Sequence, residues 1–199
     1  MGTITAPWKQ LFLNALESNS HPKHSSYFQL ATVGCNGRPS NRTLVFRDPF
    51  SFISSSDKFH INTDNRTHKI EELKHCPFAE ICWYFTNSWE QFRISGRVDV
   101  IDGSNPDTFK LQQREKSWFS SSVKSRLQYL GPNPSLPRIS EHQSEEEVRL
   151  DLSIGPVATF CLLVLDPDQR ESTVDFVSVS KAMRWTHNGI PGMYMVDVE

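Results

Sequence analysis

Residues 89–101 read WEQFRISGRVDVI, and apolar and polar residues alternate along this stretch. Every second residue from Phe92 onward is apolar or small: Phe92, Ile94, Gly96, Val98 and Val100. The residues between them are polar: Arg93, Ser95, Arg97 and Asp99. Because successive side chains of a β-strand point to opposite faces, the pattern predicts a long strand with one face buried.

The sequence on both sides predicts further strands joined by short turns. Upstream, the predicted strands are residues 27–33, 39–47, 50–53, 58–63 and 78–85. Downstream, they are residues 157–165, 173–179, 182–186 and 193–198. The pairs Asn36-Gly37 and Asn188-Gly189 suit tight hairpin turns. Short strands at close spacing, with few helices between them, predict an antiparallel barrel.

Helical spacing of apolar residues occurs outside these strands. We expect one helix at the N-terminus near Pro7, one that begins near Asn65 and stops before Pro77, and one over residues 105–119. With 199 residues, 37% of them apolar, the chain can build one substantial core. The expected fold is therefore mainly β, a barrel with a few peripheral helices, and residues 1–199 are expected to form a single domain.

The charge and composition of the chain indicate which classes of partner it is not expected to bind. A formal charge of −2 and a pI near 6.4 argue against a protein that coats nucleic acid. No apolar run approaches the roughly 20 residues needed to span a bilayer, and the first residues do not resemble a secretory signal. The four cysteines lack the spacing of a metal site. We expect no membrane, nucleic-acid or metal partner, and a cytoplasmic location.

The stretch RTLVFR at residues 42–47 carries two arginines on the second arm of the first hairpin. Strand alternation places Arg42 and Arg47 on opposite faces unless a bulge intervenes. One arginine could then hold an anion while the other reaches a different part of the same site. The alternative is that both are exposed charges at a strand end.

A second cationic segment follows the predicted strand that ends at Thr63. The helix expected near Asn65 would offer free backbone N–H groups and the positive end of its dipole, while Thr67 and Lys69 add a hydroxyl and an ammonium. This combination suits a phosphate dianion, because charge-assisted hydrogen bonds are about twice as strong as neutral ones. The alternative is an ordinary capped helix with solvated cations.

Other polar side chains carry weaker signals. Gln91 offers both a donor and an acceptor, which could pair with the polar edge of a flavin, although most strand glutamines are simply exposed. His68 and His187 could act as acid–base groups, but a lone histidine is more often structural. We assign no catalytic side chain.

Taken together, three motifs in this order resemble the pyridoxamine 5'-phosphate oxidase family, in its FMN-binding branch. They are RTLVFR at residues 42–47, NT at 62–63 with THK at 67–69, and QFRISG at 91–96. The resemblance implies a split β-barrel homodimer with FMN at the subunit interface. It also implies hydride transfer from the amine-bearing carbon of a small substrate to flavin N5, followed by reoxidation with O2.

The resemblance also implies roles for individual residues. Arg42 and Lys69 would hold the FMN phosphate, and Gln91 would bond the polar edge of the ring. Residues expected to bind the cofactor are Arg42, Thr43, Leu44, Val45, Asn62, Thr63, Thr67, His68, Lys69 and Gln91. Arg47 and Arg184 would bind the substrate.

The sequence also departs from the oxidase pattern. His68 stands where the oxidases usually have arginine, and only Trp118 and Ser125-Arg126 offer counterparts to further substrate contacts. Residues 182–187 keep Arg184 but not the full Arg-x-His-x-Arg motif. Two hypotheses therefore stand beside each other: an FMN-dependent oxidase of vitamin B6 phosphates or another small substrate, and a carrier or sensor that holds FMN or haem without turnover. A barrel with only a structural or protein-interaction role is a third option.

Overall fold

The computed structural model describes residues 7–21, 23–47, 57–136 and 153–168, together with the backbone of three later strands. The strands are β1 Tyr27–Val33, β2 Pro39–Val45, β3 Phe59–Asp64, β4 Phe78–Phe85, β5 Glu90–Ile101, β6 Phe160–Pro167, β7 Val174–Ser178, β8 Lys181–Trp185 and β9 Pro191–Tyr194. The helices are α1 Pro7–Ser18, α2 His68–His75, α3 Thr108–Ser120 and α4 Val123–Leu127. The predicted strand at residues 50–53 and His187 lie outside the described residues.

Strand β5 is the long strand with one buried face that its alternating sequence predicts, and it lies at the centre of the sheet. Its residues 90–97 pair with β4 along one edge, while residues 91–93 pair with β7 and residues 96–101 with β6 along the other. Every pairing among the described strands is antiparallel. The path β2-β1-β4-β5-β6-β3 forms a curled, six-stranded half-barrel, and β7, β8 and β9 extend the sheet from β5.

Gly96 lies where β5 passes close to the backbone at the end of β6. A Cβ atom at this position would lie 2.3 Å from the backbone oxygen of Asp166, far inside van der Waals contact. Any larger residue would push the two strands apart, so the glycine allows one long strand to pair with both neighbours.

The core is aromatic and is covered by α1. Phe12 of this helix is fully buried, and its ring packs edge-on against the rings of Phe59, Trp83 and Phe92, with centroid separations of 5.0 to 5.6 Å. Offset and edge-to-face ring contacts of this kind add to the free energy of burial. They fix α1 against β3, β4 and β5.

Helix α2 differs from its prediction, because it begins at His68 and not near Asn65. Strand β3 continues to Asp64, whose carbonyl then accepts hydrogen bonds from the backbone N–H and the hydroxyl of Thr67. These bonds form a turn before the helix. Similarly, β2 ends at Val45, so Arg47 lies beyond the strand in which it was predicted.

The buried apolar side chains Ile70 and Leu73 attach α2 to the core. Its polar side chains reach both β3 and β2, the two strands at the ends of the six-stranded path. The helix therefore links the outer edges of β2 and β3, which pair with no other strand in the described part of the chain. Among the helices of the described residues, none has the length and apolar content needed to cross a membrane.

Candidate cofactor site

Lys69 is a cation in the protein interior, with only 7% of its surface exposed. Its ammonium donates hydrogen bonds to two hydroxyls, Thr67 Oγ1 at 2.8 Å and Thr63 Oγ1 at 3.1 Å. Within the described residues no carboxylate forms an ion pair with it. A buried ammonium is costly unless it is paired with a negative charge, so this arrangement suits an anionic ligand.

Arg42 reaches the same helix from β2. Its NH2 group donates to Glu72 Oε2 at 2.6 Å, and its NH1 group donates to Thr32 Oγ1 and to the carbonyls of Leu30 and Ser40. Glu72 follows Lys69 by three residues in α2, so the two side chains lie on the same side of the helix. Helix α2 therefore brings Arg42 and Lys69 together, although they are far apart in sequence.

The electrostatics of Lys69 reflect this neighbourhood. Burial and, to a smaller extent, the positive charge of Arg42 together lower the pKa of Lys69 to about 8, although the carboxylates of Asp64 and Glu72 partly oppose the shift. Two adjacent cations favour a ligand that carries two negative charges. Such a ligand offsets the free-energy cost of burying Lys69 and of the repulsion between Lys69 and Arg42. We call Arg42, Thr63, Thr67 and Lys69 the phosphate clamp.

The backbone around the phosphate clamp offers further hydrogen-bonding groups. Thr67 precedes the first turn of α2, but its side chain does not cap the helix, so the N–H groups of that turn can face an anion. Thr43, Leu44 and Val45 lie in β2, which among the described strands pairs on one edge only. Their outer backbone edge is therefore available to a planar ligand.

Besides Arg47 and residues 43–45, four predicted site residues are not part of the phosphate clamp: Asn62, His68, Gln91 and Arg184. Asn62 binds α3 instead, since it donates to Ser121 Oγ and accepts from Ser117 Oγ. His68 is exposed at the start of α2, and Gln91 lies on β5, three strands away from β2. Arg184 lies in β8, opposite Asp175 and Gly192, and its side chain is outside the described part of the structure.

Arg47 belongs to a different cationic region, near α4. Its NH2 group donates to Gln128 Oε1 at 2.9 Å, whereas its NH1 group is buried without an acceptor in the described residues. Burial raises the pKa of Tyr129 to about 12, partly offset by the nearby charge of Arg47. The Tyr129 ring lies 6.0 Å from that of Trp118.

Arg126 completes this region. The side chain is only 7% exposed, and its guanidinium lies 5.7 Å from the Trp118 ring. Both Nε and NH1 are buried without an acceptor among the described residues. Unsatisfied buried donors cost free energy, which an anionic ligand would recover. We call Arg47, Arg126 and Gln128, with Trp118 and Tyr129, the second cationic cluster.

Three structurally important residues were missed by the sequence analysis. Glu72 is one; its spacing from Lys69 on a predicted helix was the available signal. The others are Arg66, which forms a 2.6 Å ion pair with Asp64, and Arg114, which donates to the carbonyls of Phe160 and Val157. Asp64, two residues before Arg66, was the local signal for that ion pair, whereas the acceptors of Arg114 are backbone carbonyls more than forty residues away, which leave no signal in the sequence.

Comparisons with known proteins identify the family to which the chain belongs. Residues 5–102 match the family model described as pyridoxamine 5'-phosphate oxidase, FMN-binding domain. Pyridoxine/pyridoxamine 5'-phosphate oxidase 2 from Arabidopsis thaliana is 59% identical over 92% of this chain and 89% of its own length. These matches confirm the predicted cofactor, FMN.

Solved structures extend the agreement to the fold. A pyridoxamine 5'-phosphate oxidase-related, FMN-binding protein from Nostoc punctiforme superposes with a TM-score of 0.82 at 34% identity, covering 98% of this chain and all of its own. PhzG from Burkholderia lata has a TM-score of 0.69 at 16% identity, a likeness of fold alone, over 97% of this chain and 98% of its own. The predicted split barrel is confirmed, and the chain belongs to the FMN-binding pyridoxamine 5'-phosphate oxidase family.

Proposed function

We propose that this protein is an FMN-dependent oxidoreductase that holds the FMN phosphate between Lys69 and Arg42. The observation that carries the proposal is the buried ammonium of Lys69, which has two hydroxyl partners and no ion pair in the described residues. Thr63 and Thr67 would orient the ammonium toward the phosphate. The backbone of residues 43–45 would lie along the ring.

We propose that the substrate is a small molecule with its own anionic group, of the pyridoxamine or pyridoxine 5'-phosphate type. The second cationic cluster supports this, because Arg47 and Arg126 carry buried N–H groups without acceptors in the described residues. The Arabidopsis relative is named for a substrate of this type. Arg184 would contribute a further cation from β8.

In this proposal the protein supplies binding and position, and the cofactor supplies the electron chemistry. Bound FMN would accept a hydride from the substrate and return the electrons to O2. The phosphate clamp would fix the cofactor, and the second cationic cluster would fix the anionic end of the substrate. The walls of the core would exclude water from the space between them.

A homodimer would complete the site. Gln91 is separated from β2 by β1 and β4, which at about 4.8 Å per strand is roughly 14 Å. A second copy of the chain that contributes Gln91 to the ring edge would bring it to the cofactor. Residues 1–199 would then form one FMN-binding domain per subunit, and a cytoplasmic location stays a prediction.

Two measurements test the proposal. The purified protein, with and without added FMN, should absorb at about 450 nm, and FMN should raise the thermal midpoint because it binds only the folded state. Pyridoxamine 5'-phosphate should then give H2O2 in the presence of O2. Flavin binding without any oxidation of vitamin B6 phosphates would favour the carrier or sensor, and a colourless protein unaffected by FMN would overturn the proposal.

A further inference from the structure

Glu72 is a carboxylate placed beside a site for an anion. Only 13% of its side chain is exposed, and a single oxygen, Oε2, accepts from Thr32 Oγ1 at 2.5 Å and from Arg42 NH2 at 2.6 Å. Burial alone would raise the pKa of Glu72, but hydrogen bonds from Thr32, Ser40 and Arg42 outweigh it and keep the pKa below its ordinary value. Glu72 is therefore ionised at neutral pH.

The hydrogen bonds of Arg42 divide its guanidinium into two sides. NH1 donates to Thr32, Leu30 and Ser40, and one N–H of NH2 donates to Glu72. The Nε–H and the second N–H of NH2 have no acceptor among the described residues, and neither atom is among the buried polar atoms that lack a partner. These two N–H groups form the fork that binds two oxygens of a phosphate.

A negative charge close to a phosphate site opposes anion binding by repulsion. The position of Glu72 is explained if its orientation of Arg42 strengthens phosphate binding by more than its repulsion weakens that binding. An arginine side chain has several rotatable bonds, and fixing them before the ligand arrives lowers the entropic cost of binding. Because α2 also carries Lys69, the same helix would set the positions of both cations.

We infer that Glu72 is a positioning residue for the cofactor site: with Thr32 it holds the Arg42 guanidinium so that its Nε edge faces the FMN phosphate. The inference rests on the proposed function, in which Arg42 and Lys69 bind that phosphate. Glu72 itself touches no cofactor in this arrangement.

The test compares FMN with riboflavin, which has the same ring but no phosphate, by fluorescence titration of the ligand-free protein. Glu72→Ala should weaken FMN binding about tenfold, since Arg42 must then be ordered by the ligand, and should leave riboflavin binding unchanged. Glu72→Gln retains an oxygen acceptor without the charge, so it should bind FMN within about threefold of the wild type. Glu71→Ala, an exposed neighbour in α2, is the matched control.

A double-mutant cycle makes the test specific to Arg42. In the background Arg42→Ala, the further change Glu72→Ala should no longer weaken FMN binding and should strengthen it slightly, because the residue that Glu72 positions is gone and only its repulsion of the phosphate remains. Should Glu72→Ala fail to fold, Thr32→Val removes the hydroxyl that bridges both side chains at nearly constant volume, and should give a smaller FMN-specific loss.

The outcomes separate this inference from the proposed function. If Glu72→Ala and Glu72→Gln both bind FMN more tightly, Glu72 acts only by repulsion and the inference is wrong. Equal losses for FMN and riboflavin would indicate a purely structural role and would also overturn it. If the wild type itself shows no preference for FMN over riboflavin, the phosphate clamp and the proposed function fail together.

Discussion

Two buried cations, Arg114 of α3 and Lys69 of α2, have opposite relationships to their surroundings. Arg114 is 5% exposed and donates three hydrogen bonds of 2.8 to 3.1 Å to the carbonyls of Phe160 and Val157. Lys69 is 7% exposed, but its acceptors among the described residues are two neutral hydroxyls. Equal burial therefore serves a structural role in one case and leaves capacity for a ligand in the other.

Arg126 resembles Lys69 because the described residues do not satisfy all of its hydrogen-bond donors, although it lies near Arg114 in the sequence. Its Nε and NH1 atoms are buried without an acceptor in the described residues, and its guanidinium lies near the Trp118 ring. Hydrogen-bond satisfaction, rather than burial or charge, thus separates the cations that hold the chain together from those that can hold an anion. Four predictions test this distinction.

The largest effect is expected on stability, at Arg114. The substitution Arg114→Met removes three hydrogen bonds and leaves the carbonyl of Phe160 without its arginine donors, whereas that of Val157 still accepts from the backbone N–H of Phe160. The free energy of unfolding should therefore fall by about 2 to 4 kcal/mol. Urea denaturation measures it. Lys110→Met on the same helix removes an exposed ion pair with Asp99 and should cost less than about 1 kcal/mol. Equal losses at the two positions would contradict a structural role for Arg114.

At Lys69 the effect should fall on affinity instead. Lys69→Met should weaken FMN binding about 100-fold, the range expected for a charged hydrogen bond to a phosphate, with little change for riboflavin. The ligand-free protein should keep or gain stability, because an incompletely paired buried charge is replaced by an apolar side chain. Fluorescence titration and urea denaturation of the same preparation measure both quantities. If Lys69→Met lowers the free energy of unfolding but leaves FMN affinity unchanged, Lys69 has the structural role that is assigned to Arg114.

The sequence contained enough information to predict the framework of the fold. Alternation in residues 89–101 predicted β5, and the motif residues Arg42, Thr63 and Lys69 were brought together by pairing and by α2. Two of them were visible in the linear sequence because Thr63 lies near the end of a strand and Lys69 in the first turn of a helix. The family followed from the order of the motifs.

What the sequence could not predict are partners chosen by tertiary structure. Asn62 was expected at the cofactor, yet its amide is taken up by Ser117 and Ser121, which are more than fifty residues away. Glu72 could be placed on a helix but not paired with Arg42, since that pairing depends on how β2 curls toward α2. Long-range hydrogen bonds of this kind leave no local periodicity for sequence reasoning to detect.

The third effect is a pH dependence of FMN affinity. Since the pKa of Lys69 is lowered to about 8 in the ligand-free protein, its ammonium is present below pH 8 and is lost above it. Above about pH 7 the phosphate is dianionic, so the affinity should be nearly constant between about pH 7 and 7.5 and fall about 25-fold by about pH 9.5. Riboflavin, titrated over the same range, corrects for ionisation of the ring. Lys69→Arg, which stays charged, should flatten the profile, whereas a flat wild-type profile would contradict the assignment.

The smallest effect is expected at Arg126, where affinity for substrate should change and stability should not. Arg126→Met removes two unsatisfied buried donors but also a cation–π contact, so the free energy of unfolding should shift by less than about 1 kcal/mol. The KM for pyridoxamine 5'-phosphate, measured from H2O2 formation by the FMN-loaded protein, should rise about tenfold, while FMN affinity stays unchanged. Lys124→Met, an exposed position on the same helix, is the control. If Arg126→Met instead destabilises the protein as strongly as Arg114→Met, then Arg126 is a structural cation whose partners lie elsewhere in the chain, and the second cationic cluster is not a substrate site.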